Sequence, residues 1–593
     1  MKKLLATMIA LIMAVGLLSS CIPSKPSEPA AAGGAKAVKE FIAYGLQDAL
    51  WNRSNNMDDP IGKALTEATG VKLIGENPVG AWQEMLPLMI ASGDMPEIMS
   101  NTGNSLQLMV EAGVVRPLKN LMENSPNIVK LYGDEMGRLS FSAADREYYA
   151  MGIVRRDSDF TPDSHWEFGY YVQFPVLEAA GWPLLKTPYE FEDIIASYLK
   201  DNPTVDGRPM YGMSFWIGDN WRHSFLLGIT HTSGLPGDAV WYIDPDTYEV
   251  TSIFRHPGAK RYIEWLNHLN DVGLLDPETV THSRDMMIEK QSNGQYAGLM
   301  HAKWITWEAA EHMPVSNPTR DTLGFPLQWE PDKMSSRDQQ GRGLSEGIGF
   351  SITTSASDED ARLIMDFFDY TVSDEGQMLM NFGIEGLHYT FDKNAPVGEF
   401  GEWVSNADLY QGNDPRGPRW LASEVWDLLY NPTAERVDIR NKTGLHKFGH
   451  NLLGTFNTTS SGYIMNDYKQ DPDEYFSGRT PELQAALSAY GVKSEKELFP
   501  KGMPRTLGLP NLKWGPSHTL AVGSTSEAHQ VANTQYLECI PVELSKLTVA
   551  PAASFDAAWD GFIKFLEDSI KIKMLEDEMT QLLDDRMTMW YGN

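Results

Sequence analysis

Aromatic side chains occur in polar surroundings in three short stretches, SFWIGDNWRHSF, MHAKWITWEAAEHM and GIEGLHYT. Trp and Tyr rings are flat, rigid and apolar, so they can pack on the C–H faces of a sugar ring while polar neighbours bind its hydroxyl groups. A single tryptophan more often packs in a core, but we predict that at least one stretch lines a ligand cleft. The candidates on this ground are Trp216, Trp221, Arg222 and Trp307.

Signatures of catalysis are missing from the sequence, which contains no G-x-S-x-G, H-E-x-x-H, Walker A or C-x-x-C motif. Close acidic pairs such as Asp244 and Asp246 stand beside prolines, a setting that favours turns over catalysis. His223 and His231 lack the spacing of metal ligands. We therefore predict a protein that is not an enzyme and holds no metal, with an exported glycan-degrading enzyme as an alternative.

The net charge excludes some partners. The chain of 593 residues has 80 Asp and Glu against 49 Lys and Arg, a net charge of −31. Such a field repels nucleic acid and anionic lipid. The length predicts at least two domains, and no heptad repeat or long apolar run argues against a monomer.

The first residues, MKKLLATMIALIMAVGLLSSC, have two lysines, an apolar run and small residues before Cys21. This is the layout of an export signal, predicted over 1–20. Leu18 to Cys21 resembles the lipobox of bacterial lipoproteins, whose cysteine is lipidated, and the Pro- and Ala-rich segment 21–38 predicts a flexible tether. Cys539 would then be the one cysteine left in the mature body, as a small apolar residue.

The apolar pattern predicts alternating strands and helices near the start of the body. KEFIAYGL, VKLIGE and MPEIMS are typical of strands, PIGKALTEATG of a helix closed by Gly70, and GAWQEMLPLMIASG of a helix despite Pro87. This βαβαβ order favours a parallel sheet covered by helices. Ligands of such sheets bind at the carboxyl ends of the strands.

Further along, GAKRYIEWLNHLNDVGLL predicts an amphipathic helix with inward-facing positions at Tyr262, Leu266, Leu269 and Val272. Ser357 is predicted to cap a helix that follows a strand ending near Ile352. Between about 395 and 550 the pattern weakens, and we predict irregular and short elements there. The last stretch, from Phe555, is predicted to be helical.

Seven blocks in order resemble the bacterial extracellular solute-binding proteins of family 1, especially the large lipoproteins of oligosaccharide or aldouronate ABC transporters. The blocks are TEATGVKL, MIASGDMPEIMS, EAGVVRPLKNLMENSPN, EAAGWPLLKTPYEFEDI, WLNHLNDVGLLDPE, NGQYAGLM and FFDYTVSDEGQMLMNFGIEGLHY.

The resemblance implies an α/β fold with two lobes, the type II periplasmic-binding-protein fold, plus a helical C-terminal region. It assigns 39–152 and about 345–385 to the first lobe, and about 153–344 and 386–593 to the second. It also implies a lipid-anchored binding protein at the cell membrane, facing the extracellular or periplasmic side, that delivers an oligosaccharide to an ABC permease. A peptide or another small metabolite is the alternative ligand.

The resemblance also maps ligand loops to residues of this chain. They are Asn101 and Thr102 after the PEIM strand, Trp304 after AGLM, and His388 with Tyr389 in GIEGLHY. Many relatives carry a calcium loop where this chain has KDNPTVDGRP, with only Asp201 and Asp206 as acidic ligands, so calcium binding is not expected.

Overall fold

The computed structural model describes 38–44, 57–76, 82–101, 103–142, 145–155, 169–217, 221–235, 240–244, 247–301, 303–331, 336–338, 343–405, 420–430, 439, 442–445, 476–477, 479–498, 505–507 and 526–591. The signal, Cys21 and most of the tether lie outside these residues.

The strands in chain order are β1 Lys39–Tyr44, β2 Val71–Glu76, β3 Ile98–Asn101, β4 Met151–Arg155, β5 Gly169–Gln173, β6 Thr204–Val205, β7 Arg208–Pro209, β8 Trp241–Ile243, β9 Val250–Ser252, β10 Gly298–His301, β11 Thr322–Phe325, β12 Ser336–Asp338, β13 Gly343–Ile352, β14 Tyr389–Thr390, β15 Trp403–Ser405, β16 Trp420–Ala422 and β17 Arg505–Leu507.

The α-helices are α1 Pro60–Thr69, α2 Trp82–Ser92, α3 Gly103–Glu111, α4 Lys119–Glu123, α5 Pro126–Tyr132, α6 Phe174–Ala179, α7 Pro188–Asp201, α8 Trp221–Thr232, α9 Pro257–Asp271, α10 Arg284–Ser292, α11 Trp307–Ser316, α12 Asp358–Thr371, α13 Asp374–Phe382, α14 Ser423–Tyr430, α15 Pro481–Ala489, α16 Glu527–Thr548, α17 Phe555–Phe565 and α18 Ile572–Tyr591.

The first sheet has the strand order β2-β1-β3-β13-β4. Strands β1, β2 and β3 are parallel, as the βαβαβ pattern predicted, and β13 runs antiparallel to both β3 and β4. Strand β13 comes from far along the chain, so the first sheet is completed only after the chain has built the second.

Local signals at the helix ends agree with the sequence. Helix α1 begins after Asp59, whose side chain accepts a hydrogen bond from the Gly62 amide, and ends at Gly70 in the left-handed conformation. Ser357 caps α12 and forms a capping box with Asp360. These caps satisfy backbone groups that a helix end otherwise leaves unpaired.

The second sheet has the order β10-β5-β11, with the central strand β5 antiparallel to both neighbours. Tyr170 and Val172 of β5 point into the large second core. Tyr171 points to the opposite face, where it packs with Met287, Tyr296 and Leu299. Because side chains alternate along a strand, one strand serves both faces of the sheet.

The C-terminal helices are part of the second core. Tyr536, Ile540 and Trp559 are buried in the same cluster as Tyr170 and Val172. Asn267 of α9 donates from Nδ2 to the carbonyl oxygens of Leu547, Thr548 and Ala550, at 3.0, 3.2 and 2.7 Å. One amide group thereby closes the end of α16 against α9.

The structure differs from the sequence predictions at three places. Tyr389, Phe400 and Leu445 are buried in the first core, whereas residues from 386 onward were assigned to the second lobe; a three-stranded sheet, β14-β16-β15, ties this segment to the first core. Val272 ends α9 and is half exposed, because it is the C-cap and no longer on the inward face. Helix α16 spans 22 residues where short elements were predicted. The prediction failed because Pro541 interrupts the helical pattern of this segment.

Candidate functional site

The first sheet presents Asn101 at the carboxyl end of β3. Its neighbour across the sheet is Gly349 of β13. A Cβ at Gly349 would lie 2.6 Å from the Met151 carbonyl oxygen, so glycine lets β13 approach β4 closely at this level. Thr102 lies outside the described residues. Asn101 is therefore placed at the sheet edge where ligands of parallel sheets bind.

In the second sheet, β10 ends at His301, which pairs with Gly169 at the start of β5. The chain then makes a 3₁₀ turn over Lys303–Thr306 and continues into α11. Trp304 lies in this turn and Trp307 opens the helix directly after it, and we call residues 303–307 the tryptophan turn. The side chains of both tryptophans lie outside what the structure describes. Ile305 and Thr306 are buried, so the backbone between the two tryptophans is anchored in the lobe.

Two of the chain's crossings between the lobes, the one after β4 and the one before β13, join these same two edges. Beyond the level of Asn101, Gly343 of β13 pairs with Arg155 at the end of β4. The chain leaves the first sheet at Arg155 and enters the second at Gly169, beside His301. It returns after Phe325, which ends β11 at the same edge of the second sheet, and re-enters the first sheet at Gly343. The edge with Asn101 and the edge with the tryptophan turn are thus tied together twice.

The first aromatic stretch also belongs to the second lobe. Trp216 is partly buried against the cluster of Tyr171, Tyr296 and Leu299. Trp221 and Arg222 begin α8, but their side chains are outside what is described. Hence Trp216, Trp304 and Trp307 occupy one lobe, and Trp216 packs against both the second core and the cluster around Tyr171.

His388 and Tyr389 lie apart from this group, in the first core. The Nε2 atom of His388 is 2.8 Å from the Thr443 carbonyl oxygen, and its Nδ1 accepts from the Ile384 amide at 3.0 Å. Burial lowers the pKa of His388, and the hydrogen bond to the Thr443 carbonyl acts in the opposite direction. The ring packs on Phe400 at 4.8 Å. In this conformation neither ring nitrogen is available to a ligand.

A buried polar cluster that the sequence analysis did not predict includes Tyr296, one of the residues against which Trp216 packs. The carboxylate of Asp276 accepts from Lys290 Nζ at 2.7 Å and from the Tyr296 hydroxyl at 2.9 Å. Burial, with this carboxylate adjacent, raises the pKa of Tyr296. His282 Nδ1 lies 3.9 Å from Asp276, and burial lowers the pKa of His282. The acidic and basic members lie 14 residues apart in the chain, and the sequence analysis did not single out this pair.

A small cavity lies between the second sheet and helices α10 and α11. Its volume is about 10 Å³, the space of one water molecule. The lining residues are Tyr171, Gln173, Gln291, Tyr296, Leu299, His301, Ala310, Met313, Asp321 and Thr322. It is far too small for a sugar ring, so a sugar would have to bind outside it.

The KDNPTVDGRP segment forms a tight hairpin. Strands β6 and β7 pair directly, and Asp206 and Gly207 between them have φ of 48° and 76°. Positive φ at both loop residues is the type I′ geometry that Asp-Gly favours. Asp206 is thus a turn residue, and the described part of the chain holds no group of three or more His, Cys, Asp or Glu that could bind a metal. These residues do not fit a calcium loop.

Cys539 in α16 is partly buried against the second core. None of the helices within the described ranges has the length and apolarity needed to cross a bilayer.

No protein-family model matches this sequence. The chain is 23% identical over 283 residues to the fructooligosaccharide ABC transporter substrate-binding protein FusA of Streptococcus pneumoniae, a match covering 44% of this chain and 48% of FusA. It is 21% identical over 402 residues to the polygalacturonan/rhamnogalacturonan-binding protein YtcQ of Bacillus subtilis, covering 64% and 73%. The first match therefore spans about half the length of that relative.

Solved structures show the fold. FusA in complex with kestose superposes with a TM-score of 0.58 at 15% identity, over 93% of this chain and 100% of FusA. The alginate-binding protein AlgQ2 without calcium ion gives 0.55 at 15% identity, over 93% and 99%. The predicted type II periplasmic-binding-protein fold is confirmed. FusA is named as the substrate-binding protein of an ABC transporter and YtcQ as a polygalacturonan/rhamnogalacturonan-binding protein, which confirms the resemblance drawn from the sequence.

Proposed function

We propose that this protein captures an oligosaccharide between its two lobes outside the cell and delivers it to the permease of an ABC importer. The observation that carries the proposal is the double connection between the edge with Asn101 and the edge with Trp304 and Trp307. A ligand held between these edges touches both lobes, so its binding favours a closed arrangement.

Sugar is the ligand class that the residues favour. The turn after β10 has two tryptophans separated by two residues, and Trp216 adds a third ring in the same lobe. Aromatic faces with polar neighbours suit a ring that is apolar on its faces and polar at its rim. FusA is named for binding fructooligosaccharide and YtcQ for binding polygalacturonan/rhamnogalacturonan, which supports a neutral or an acidic oligosaccharide as the ligand.

Delivery requires that the closed arrangement of the two lobes signal to the permease that a ligand is bound. The ligand must bind the closed form more tightly than the open form, because equal affinity for both shifts no population. We place the hinges at the crossings beside Arg155 and Gly343, where the chain passes from one lobe to the other. No bond of the ligand is broken, and the protein acts as a monomer.

The test is a melting-temperature screen with oligosaccharides of neutral and acidic plant and algal polysaccharides. A true ligand at 100 times its Kd stabilises the protein by about 2.7 kcal/mol and raises the melting temperature. Titration calorimetry then gives the affinity, and chromatography after long incubation checks that the sugar is intact. An unchanged melting temperature with every oligosaccharide of the panel contradicts the proposal. Recovery of shortened sugar after the incubation would show that the protein breaks its ligand and contradicts the absence of catalysis.

We further propose that Cys21 carries the lipid that holds the protein at the outer face of the cell membrane, within reach of the permease. The segment 21–38, rich in Pro, Ser, Ala and Gly, then acts as a flexible spacer. Replacing Cys21 by Ala should release the protein from the membrane fraction into the medium or periplasm. Retention of Cys21→Ala in that fraction refutes the anchor while leaving sugar binding untouched.

A further inference from the structure

The beginning of helix α10 contacts the segment that carries Trp216 and the segment that carries Trp304 and Trp307. His282, just before the helix, has its Nε2 atom 3.1 Å from the carbonyl oxygen of Phe215, the residue next to Trp216. Arg284, the first helical residue, donates from Nε to the carbonyl oxygen of Ile305 at 2.7 Å. One short stretch therefore links the backbone beside Trp216 to the backbone between Trp304 and Trp307.

Arg284 makes a second contact with the same segment. Its Nη1 and Nη2 atoms donate to the two carboxylate oxygens of Glu308, at 3.0 and 2.6 Å. A bidentate guanidinium–carboxylate pair has fixed planar geometry, and the third bond to Ile305 fixes it further. The two partners flank Trp307 in the chain, so its backbone is held on both sides.

The pair contributes little to folding. The side chains of Arg284 and Glu308 are 29% and 34% exposed, and solvent screening at that exposure leaves an ion pair with little effect on the free energy of folding. Ile305, Thr306 and Ala309 are buried and hold the segment in the lobe without Arg284. The specific effect of Arg284 is therefore on the orientation of the turn.

We propose that Arg284 is a positioning residue for the oligosaccharide site, which holds the turn with Trp304 and Trp307 in its binding orientation before the ligand arrives. This inference rests on the proposed function. Fixing the turn beforehand removes an ordering cost from binding, so Arg284 raises affinity without touching sugar.

The experiment uses full-length protein labelled with 5-fluorotryptophan, with the fluorine resonances of Trp304 and Trp307 assigned through Trp304→Phe and Trp307→Phe. Arg284→Met should shift or broaden those two resonances and leave those of Trp241 and Trp265, buried in the second core, unchanged. Arg284→Lys, which keeps the charge but cannot reach both partners, should give an intermediate change. Glu308→Gln should resemble Arg284→Lys.

A matched control is Arg362→Met in the first lobe. Arg362 is 31% exposed and, like Arg284, bonds a carboxylate, Asp366, and a backbone carbonyl, that of Leu121. Its removal should leave the Trp304 and Trp307 resonances and the affinity unchanged. The affinity is measured with kestose and with trigalacturonate, and Arg284→Met should weaken the binding of whichever probe binds by about tenfold.

Unchanged resonances of Trp304 and Trp307 in Arg284→Met overturn the inference, whatever the sugar result. Changed resonances with unchanged affinity overturn it as well, because the orientation would not matter for binding. If the unmodified protein binds no oligosaccharide, the proposed function fails, and the fluorine spectra still decide whether Arg284 holds the turn.

Discussion

The imidazole ring of His388 bridges two backbone segments of the first core, accepting from the Ile384 amide and lying 2.8 Å from the Thr443 carbonyl oxygen. The two bonds define one tautomer, with the proton on Nε2. The residue that looked like a ligand contact in the sequence thus performs a structural task.

His388→Phe should destabilise the first lobe by about 2 kcal/mol, because a buried amide and a buried carbonyl lose their partner. The melting temperature should fall in calorimetry, while the affinity for an oligosaccharide identified by the screen should change less than twofold. A tenfold loss of affinity at an unchanged melting temperature would instead place His388 at the ligand.

Gly383 should not tolerate alanine. Its φ is 86°, and an added Cβ would lie 2.4 Å from the His388 ring. Gly386 is the matched control, since its φ of 81° imposes similar backbone strain while a Cβ there meets nothing within 4 Å. In urea unfolding, Gly383→Ala should lose clearly more stability than Gly386→Ala; equal losses would mean that strain alone matters and that the ring approach does not.

Stability should fall as the pH drops below about 6.5. Burial lowers the pKa values of His256, His282, His388 and His529 from the ordinary 6.5. Below pH 6.5 the unfolded chain therefore binds more protons at these histidines than the folded chain does. The free energy of unfolding decreases as the pH falls from 6.5, and it changes little with pH just above 6.5. Melting temperatures between pH 8 and 5 measure this. His388→Gln should flatten the slope, and an unchanged slope would exclude His388 as a contributor.

Asn267→Leu should weaken the attachment of the C-terminal helices. It keeps the volume but leaves the carbonyl oxygens of Leu547, Thr548 and Ala550 without their shared donor, at a cost of about 1–3 kcal/mol. Hydrogen exchange should become faster in α16, α17 and α18. Asn270→Leu, at a partly exposed position of the same helix, is the control. Equal protection in both variants would show that the core alone holds these helices.

Trp304→Ala should reduce oligosaccharide affinity by about tenfold, which corresponds to about 1.4 kcal/mol, at nearly the same melting temperature. Trp182→Ala is the control, because Trp182 is a partly buried ring of the same lobe that packs edge-on against Tyr490. Loss of affinity in both variants would trace the effect to the stability of the lobe and remove Trp304 from the proposed site.

Several elements could be predicted because their signals are local. Asp59, Gly70 and Ser357 act within one helical turn, and the alternation in β1 is visible in six residues. Helix α16 was missed because its inner face is interrupted by Pro541 and its burial comes from α9. The place of Tyr389 was missed because it pairs with Leu421, across a connection that no local pattern encodes.

For the candidate site, the residue types and their order along the chain are properties of the sequence alone: the aromatic stretches and a resemblance that names a binding fold. Tertiary packing decided which of these residues share an edge. It brought the end of β10 to the crossing beside Gly169, buried His388 in the first core, and set Arg284 against Ile305 and Glu308. Such contacts join residues distant in the chain, and their geometry follows from how whole elements pack, since local propensity specifies an element but not its neighbour.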